Sequence, residues 1–133
     1  MANVLLIDDD RFFMRPCVLK LEHQGGHTVH FVSNLGEAIQ HFREQTFDVV
    51  VLDKNIGGHH GCIPFLEMAR REKPHIPIVM HTGEDDELVP GRLGCDAFVP
   101  KRAGTNALLA RLNQVLEQQR DIPPTEDYYG DRL

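Results

Sequence analysis

The sequence contains no tryptophan, two tyrosines and only three cysteines among its 133 residues. The cysteines are Cys17, Cys62 and Cys95, and no two of them form the C-x-x-C pair of a zinc site. Their odd number and wide spacing also argue against a disulfide framework. We therefore expect free thiols and a reducing, cytoplasmic setting.

Basic charge and long apolar runs are also scarce. Lys and Arg number 14 against 20 Asp and Glu, so the formal net charge of −6 excludes the basic surface of a typical nucleic-acid binder. No apolar run approaches the roughly 18 to 20 residues of a membrane span. The chain also opens into the apolar segment Val4–Ile7 without the basic flank of a secretory signal. These absences predict that the protein contacts neither nucleic acid nor membrane directly.

Short apolar segments alternate with longer amphipathic segments along the chain. The apolar segments have the length and the β-branched content of buried strands. The predicted strands are Val4–Ile7, His27–Val32, Phe47–Leu52, Ile76–Met80 and Ala97–Val99. A helical pattern follows each strand, and this alternation predicts an α/β domain with a doubly wound, five-stranded parallel sheet and helices on both faces.

The predicted helices differ in the strength of their pattern. The first contains Pro16, where a kink is expected, and the second has Asn34 as its cap. The fourth, over 84–93, is weak because Pro90 and Gly91 interrupt it. The fifth has the clearest helical spacing, at Leu108, Leu109, Leu112, Val115 and Leu116. One domain is predicted over residues 1–120, followed by a polar tail over 121–133.

Polar side chains recur directly after the apolar strands. Asp8–Asp10 follow the first strand, Asp53 follows the third, Thr82 the fourth and Lys101 the fifth. The carboxyl ends of parallel strands share one edge of the sheet, so these groups are expected to converge there. Any one of them alone could be a helix cap or a surface charge, but four at the same edge indicate a site.

The convergent groups suit a metal ion and an anion. Clustered carboxylates raise one another's pKa unless a cation lies between them, and Mg²⁺ (or Mn²⁺) with oxygen ligands meets that need. The ammonium group of Lys101 and the hydroxyl of Thr82 can then contact a phosphoryl group. A carboxylate among the ligands can act as a nucleophile and form an aspartyl phosphate.

Four segments carry a family resemblance. They are Leu6–Asp9, Phe47–Asp53, Val79–Gly83 and Leu93–Lys101. In this order and at this spacing, they resemble the receiver domain of two-component response regulators, particularly the single-domain chemotaxis regulators. The resemblance implies a flavodoxin-like strand order, 2-1-3-4-5.

The resemblance also implies roles for the acidic residues. Asp53 corresponds to the phosphoacceptor of the family. Asp9 and Asp53 would bind Mg²⁺ directly, together with the backbone carbonyl of Asn55, and Asp8 would act through a metal-bound water. Asp10 is instead expected in the first turn of a helix, where the helix dipole favours an acid.

Five residues are implied to hold the phosphoryl group, to switch or to set its lifetime. Thr82 and Lys101 would contact the phosphoryl oxygens. Thr82 and Phe98 would form the switch, in which the aromatic ring moves inward after phosphorylation. Asn55 and Glu84 flank the site and would tune the lifetime of the aspartyl phosphate.

The sequence departs from the family pattern in three places. Gly57 stands where proline is usual, which predicts a looser loop. Arg102 follows Lys101 where the family usually has a proline, so a trans peptide bond is expected. The interval from Thr82 to Lys101 is about one helical turn shorter than usual and contains Pro90, which predicts a short or distorted fourth helix.

These features together predict a signalling phosphoacceptor and not an enzyme that turns over a substrate. Its expected partners are a sensor histidine kinase or a histidine phosphotransfer protein and an unidentified downstream protein, with no further output domain. One alternative is a phosphatase of the haloacid dehalogenase type, but that class carries Asp-x-Asp on its first strand, whereas Asp53-Lys-Asn55 lies on the third. Another is a receiver-like interaction module that is never phosphorylated.

Overall fold

The fold was analysed in a computed structural model, in which residues 1–83 and 94–120 are described. The strands are β1 (Asn3–Ile7), β2 (Thr28–Val32), β3 (Val49–Leu52), β4 (Ile78–Thr82) and β5 (Ala97–Pro100). The helices are α1 (Arg11–Leu19), α2 (Leu35–Glu44), α3 (Ile63–Glu72) and α4 (Thr105–Arg120). A π-helical turn, Lys20–Gln24, extends α1, and a 3-10 turn, Lys101–Ala103, follows β5.

The strands form one parallel sheet in the order β2-β1-β3-β4-β5. The predicted fold class and strand order are therefore confirmed. The order reverses between β1 and β3, which lie side by side at the centre of the sheet with Ile7 opposite Leu52. In a doubly wound sheet this reversal opens a crevice beyond the carboxyl ends of the central strands.

Alternate side chains of the strands enter two separate cores. On one face, α2 and α3 cover a core that includes Leu5, Ile7, Val50, Leu52, Ile78 and Met80. On the other face, α1 and α4 cover a core that includes Val4, Leu6, Val49, Val51, Val79 and Val99. Both faces of the sheet are buried, which explains why the central strands are apolar at every position and not only at alternate ones.

Helix α1 continues through Pro16, and a π-helical turn follows its last residue. The π-helical turn begins at Lys20, whose N–H donates to the carbonyls of Pro16 and Cys17. Gly25 then ends the helix where no side chain fits, since a Cβ atom there would lie 2.6 Å from the Leu21 carbonyl oxygen. The predicted end of this helix at Gly25 is confirmed, and the kink expected at Pro16 stays a prediction.

Hydrogen bonds and an ion pair hold the starts of α2, β4 and β5 in place. The Asn34 side chain accepts the N–H of Glu37 at 2.8 Å, as predicted for the cap of α2. Arg70 of α3 donates to the Gly94 carbonyl at 2.7 Å and pairs with Asp96 at 2.9 Å. Asp96 also accepts the N–H of Ile78 at 2.8 Å. Because these bonds tie the starts of β4 and β5 to α3, they set the positions of the residues at the opposite ends of both strands.

Two predicted segments lie outside the described residues. These are the weak helix over 84–93, which contains Glu84 and Pro90, and the polar tail over 121–133. None of the helices in the described part of the chain combines the length and apolar composition needed to cross a membrane.

Candidate functional site

Two aspartates lie side by side at the carboxyl ends of the central strands. Asp8 follows β1 and donates its N–H to the Val32 carbonyl at 3.2 Å, and Asp53 follows β3 and donates to the Ile7 carbonyl at 3.0 Å. Continuation of the strand pairing thus holds both backbones rigidly. Asp8 is 1% exposed and Asp53 is 6% exposed, so both carboxyl groups are largely removed from water.

A third carboxylate completes an acidic cluster. Single oxygens of Asp8, Asp9 and Asp53 all lie within 4.8 Å of one another. Across the described ranges, 1–83 and 94–120, this is the one group of three or more His, Cys, Asp or Glu side chains spaced to hold a metal ion. Asp9 is the exposed member, so the cluster opens to solvent on its side.

Lys101 reaches this cluster from the end of β5. Its Nζ lies 2.7 Å from Asp8 Oδ2 and 3.9 Å from Asp53 Oδ2, and its side chain is 16% exposed. The sequence prediction that acids and an amine converge at one sheet edge is therefore met by the geometry. No cis peptide bond occurs within the described residues, which agrees with the trans bond expected between Lys101 and Arg102.

The electrostatics of the cluster favour the entry of a cation. Burial, followed by the charge of Asp8, raises the pKa of Asp53 to about 6, although Lys101 and the Asn55 N–H oppose the shift. Burial also raises the pKa of Asp8, again against the hydrogen bond from Lys101. One ammonium group does not offset three crowded carboxylates, so the donor set fits a hard divalent cation such as Mg²⁺.

The loop after Asp53 contacts the cluster through backbone groups. Asp9 Oδ2 accepts the N–H of Gly57 at 3.1 Å. The Asn55 side chain accepts the N–H of His60 at 2.8 Å, and its carbonyl accepts the N–H of Gly58 at 2.9 Å. Gly57 has φ +74°, which the ring of a proline excludes, so the loss of the usual proline accompanies a different loop backbone.

Gly61 is the glycine of this loop at which a side chain would overlap the backbone. A Cβ atom there would lie 1.8 Å from the Ile56 carbonyl oxygen. We expect Gly61→Ala to lower the free energy of unfolding by more than about 2 kcal/mol, because the backbone must move to relieve the overlap. Urea unfolding followed by circular dichroism measures this change.

Gly36 is the control for Gly61, because alanine at this position is expected to raise the free energy of unfolding. Gly36 lies in α2, and a Cβ atom there would meet only Asn34 Oδ1, at 3.4 Å. Gly36→Ala is expected to stabilise the protein by about 0.5 kcal/mol, because alanine restricts the unfolded chain and favours the helix. Equal stability of the two alanine variants would contradict the steric account of Gly61.

Thr82 and Phe98 lie on the adjacent strands β4 and β5. Met80 of β4 is opposite Leu52 of β3, so Thr82 ends β4 at the edge where Asp53 follows β3. Thr82 is fully buried. Phe98 is opposite Met80 on β5, and its half-buried ring packs against the core beneath α2 and α3. The remaining predicted site residue, Glu84, lies outside the described residues.

The sequence analysis did not assign Phe13 or His81 to the site, and it placed Asp10 only approximately. The ring of Phe13, on α1, lies 5.0 Å from Lys101 Nζ and 6.0 Å from the ring of His81. The helical pattern in the sequence includes Phe13 and not its neighbour Phe12, which is 93% exposed, but the pattern does not place the Phe13 ring beside Lys101. Asp10 is the cap of α1, because its Oδ1 accepts the N–H of Phe13 at 3.0 Å, and it is not in the first turn.

A family comparison identifies the architecture of this site. The profile of the response regulator receiver domain matches residues 4–113. The chain belongs to this family. It is therefore a receiver domain of the two-component response regulators, as the sequence motifs predicted, and the alternative of a haloacid dehalogenase phosphatase is ruled out.

Relatives of this receiver domain include two longer regulatory proteins. It is 30% identical over 141 residues to the regulatory protein VirG of Rhizobium rhizogenes, covering 98% of this chain and 56% of that protein. It is 28% identical over 134 residues to the alkaline phosphatase synthesis transcriptional regulatory protein SphR of Synechococcus elongatus, covering 92% of this chain and 52% of the relative. The chain thus spans about half the length of the curated relatives it matches.

Solved structures show the same fold. The non-phosphorylated HemR receiver domain of Leptospira biflexa superposes with a TM-score of 0.77 at 27% identity, covering 87% of this receiver domain and 94% of that chain. The chemotaxis response regulator CheY4 of Vibrio cholerae gives a TM-score of 0.77 at 26% identity, covering 86% and 98% of the two chains. A CheY-like receiver domain of Methanospirillum hungatei, at 22% identity, superposes with a TM-score of 0.80 over 90% of this chain and 97% of its own.

Proposed function

We propose that this receiver domain accepts a phosphoryl group on Asp53 from a sensor histidine kinase or a histidine phosphotransfer protein, in a reaction that depends on Mg²⁺. The signal then passes by contact with a downstream protein. The observation that carries the proposal is the position of Lys101 Nζ, 2.7 Å from Asp8 and 3.9 Å from Asp53, beside a cluster of three carboxylates.

Asp53 is the nucleophile in this proposal because of its position and its charge. A carboxylate oxygen of Asp53 attacks the phosphorus of the phosphohistidine, the P–N bond breaks, and the imidazole of the donor leaves and takes up a proton. With a pKa of about 6, Asp53 is ionised at neutral pH and ready to attack. Asp8 is less suitable, since the close ammonium group of Lys101 already engages its Oδ2.

The residues proposed to hold the metal are Asp9, Asp53 and the backbone carbonyl of Asn55, with Asp8 acting through a bound water. A bound Mg²⁺ supplies positive charge to the phosphoryl oxygens and to the crowded carboxylates. Asp9 must then share or release the N–H of Gly57 that its Oδ2 accepts. The Asn55 carbonyl accepts the N–H of Gly58, and a carbonyl oxygen can take part in more than one such contact.

Lys101 and Thr82 are proposed to contact the phosphoryl oxygens. Once Asp53 carries a phosphoryl group, the Lys101 ammonium can pair with it at the cost of its contact with Asp8. The Thr82 hydroxyl, at the end of β4, can donate to the same group. Movement of Thr82 towards Asp53 would vacate space beside the half-buried Phe98, and its ring gains apolar burial by turning inward.

Phosphorylation by a small donor tests this function without a partner protein. The chain is incubated with phosphoramidate and Mg²⁺, and its intact mass is measured. We expect a gain of one phosphoryl group, and no gain when EDTA removes the metal. A chain that remains unmodified with Mg²⁺, or that is modified equally with EDTA, would contradict the proposal.

Asn55 sets the expected lifetime of the phosphorylated state. Hydrolysis needs a water in line with the phosphorus, and a small polar residue two positions after Asp53 leaves room for it. We expect the wild-type phosphoprotein to persist for roughly seconds to minutes, and Asn55→Met to extend this several-fold, since a longer apolar side chain shields the phosphorus. Decay of the phosphorylated mass at pH 7 with Mg²⁺ measures the lifetime.

The control for this change lies on α2. Gln40→Met replaces an exposed amide by the same apolar side chain and is expected to leave the lifetime unchanged. Glu84, the second residue to which a role in the lifetime is assigned by resemblance, lies outside the described residues. A wild-type phosphoprotein stable for many hours would show that Asn55 does not admit water as proposed.

A further inference from the structure

Phe13 lies against Lys101 of the acidic site, and the phosphorylation chemistry proposed above does not use this ring. The centre of its ring is 5.0 Å from Lys101 Nζ, within the range of a cation–π contact. The ring is partly accessible, since the residue is 36% exposed. One part of Phe13 thus faces the ammonium group while another faces solvent.

The position of Lys101 has to be restrained by something other than its own chain. A lysine side chain is a flexible four-carbon stem with a point charge at its end. Its Nζ is closer to Asp8, at 2.7 Å, than to Asp53, at 3.9 Å. The contact with Asp8 restrains the ammonium group on one side, and the ring of Phe13 bounds it on another.

The cap of α1 connects Phe13 to the acidic cluster. The Asp10 N–H donates to Asp8 Oδ1 at 2.9 Å, and Asp10 Oδ1 accepts the N–H of Phe13 at 3.0 Å. Two consecutive hydrogen bonds therefore connect the carboxylate that Lys101 contacts to the backbone that carries the ring. The distance between the ring and the ammonium group is set by the same residues that begin the helix.

The imidazole of His81 lies near the same ring. His81 is 1% exposed, and its imidazole lies 6.0 Å from the Phe13 ring at an angle of 33°. Burial and then the charge of Lys101 lower the pKa of His81 to about 4, so the imidazole is neutral at neutral pH. A neutral imidazole can pack near Phe13 without repelling the ammonium group of Lys101.

We propose that Phe13 is a positioning residue for Lys101, and that its ring holds the ammonium group between Asp8 and Asp53 so that it can meet an incoming phosphoryl group. The proposal rests on the function proposed above. It assigns no chemistry to Phe13 itself, which acts only through Lys101.

Three variants test the contribution of the ring. Phe13→Leu removes the π face but keeps apolar volume, Phe13→Tyr keeps the face, and Phe12→Leu makes the same change at a 93% exposed neighbour. We expect Phe13→Leu to slow phosphorylation by phosphoramidate by about two- to five-fold, the loss of one cation–π contact. Phe13→Tyr should restore the rate to within about two-fold, and Phe12→Leu should match the wild type.

Two further measurements distinguish the loss of Lys101 positioning from a general structural effect of Phe13→Leu. Mg²⁺ affinity should not fall, because Lys101 competes with the metal for the carboxylates. In a Lys101→Met background, Phe13→Leu should cause no further loss of rate, since the two residues would act as one unit. A parallel loss of Mg²⁺ binding, an additive effect in that background, or an equal loss in Phe13→Tyr would overturn the proposal.

The position of Lys101 can also be read without phosphorylation, which separates failure of this inference from failure of the proposed function. In the wild type with ¹³C-labelled lysine, the ε-methylene protons of Lys101 should be shifted by the ring current of Phe13. The shift should disappear in Phe13→Leu and persist in Phe13→Tyr, whether or not Asp53 accepts a phosphoryl group. An unchanged Lys101 signal in Phe13→Leu would refute the contact itself.

Discussion

Asp53→Asn is expected to abolish phosphoryl incorporation from phosphoramidate, where the wild type gains one group. The amide lacks the ionised oxygen that attacks phosphorus. The neighbouring acids are expected not to replace it, because Asp8 Oδ2 is paired with Lys101 at 2.7 Å and Asp9 Oδ2 accepts the Gly57 N–H. Intact mass measurement, followed by peptide mapping after reduction with borohydride, gives the number and the position of acyl phosphates.

The fold of this variant is expected to remain intact. Burial and the charge of Asp8 raise the pKa of Asp53 to about 6, so the ionised carboxylate at neutral pH opposes folding relative to the unfolded chain. The amide of Asp53→Asn carries no charge, so this destabilising effect on the folded state is absent. The variant should therefore be at least as stable as the wild type at pH 7. The loss of labelling can then be assigned to chemistry.

Asp10→Asn is the matched control for this experiment. Asp10 adjoins the cluster, and an asparagine can accept the Phe13 N–H as the aspartate does. Asp10→Asn should still gain one phosphoryl group, as the wild type does. Full labelling of Asp53→Asn, or labelling of the wild type at an additional residue, would show that Asp53 is not the acceptor or not the only one.

Asp9→Ala should weaken Mg²⁺ binding by on the order of 100-fold, because it deletes a direct carboxylate ligand and one negative charge. Asp8→Ala should weaken it less, since its proposed contact is through water. Because the sequence has no tryptophan, binding is best followed by calorimetry or by amide shifts in NMR spectra. Equal affinity of the wild type and Asp9→Ala would contradict the assignment of this ligand.

The same measurement has a predicted pH dependence. The pKa of Asp53 is raised to about 6 in the metal-free protein, so a proton occupies this carboxyl below that pH. Mg²⁺ must displace the proton, and its affinity should therefore fall as the pH drops through about 6 and level off above it. An affinity that is constant between pH 5 and 8 would show that Asp53 does not bind the metal.

The fold class and the location of the site could be predicted because their signals are local. Apolar segments such as Val49–Leu52 mark buried strands by composition alone, and a chain that alternates strands and helices closes into a parallel sheet. Asp8, Asp53 and Lys101 then had to meet, since each follows a strand whose carboxyl end lies on one edge. The resemblance added the strand order and the chemical roles, which spacing alone does not supply.

The predicted bounds of the fourth strand were wrong because the length of a strand depends on hydrogen bonds to its neighbours. The fourth strand was predicted over Ile76–Met80 and runs from Ile78 to Thr82. Its apolar composition ends at Met80, but pairing with β5 continues to Thr82 opposite Pro100. Composition reports burial, whereas the length of a strand depends on partners that lie elsewhere in the chain.

The sequence by itself determined the fold class, the two buried faces of the sheet and the edge at which the acids and Lys101 meet, because strand periodicity and topology depend on neighbouring residues. Only the tertiary structure decided that Phe13 lies against Lys101, that Asp9 accepts the Gly57 N–H, and that Gly61 has no room for a Cβ atom. The Phe13 and Asp9 contacts join residues far apart in sequence, and the Gly61 overlap depends on how the loop turns back on itself. Their distances are set by how helices and loops pack on the finished sheet.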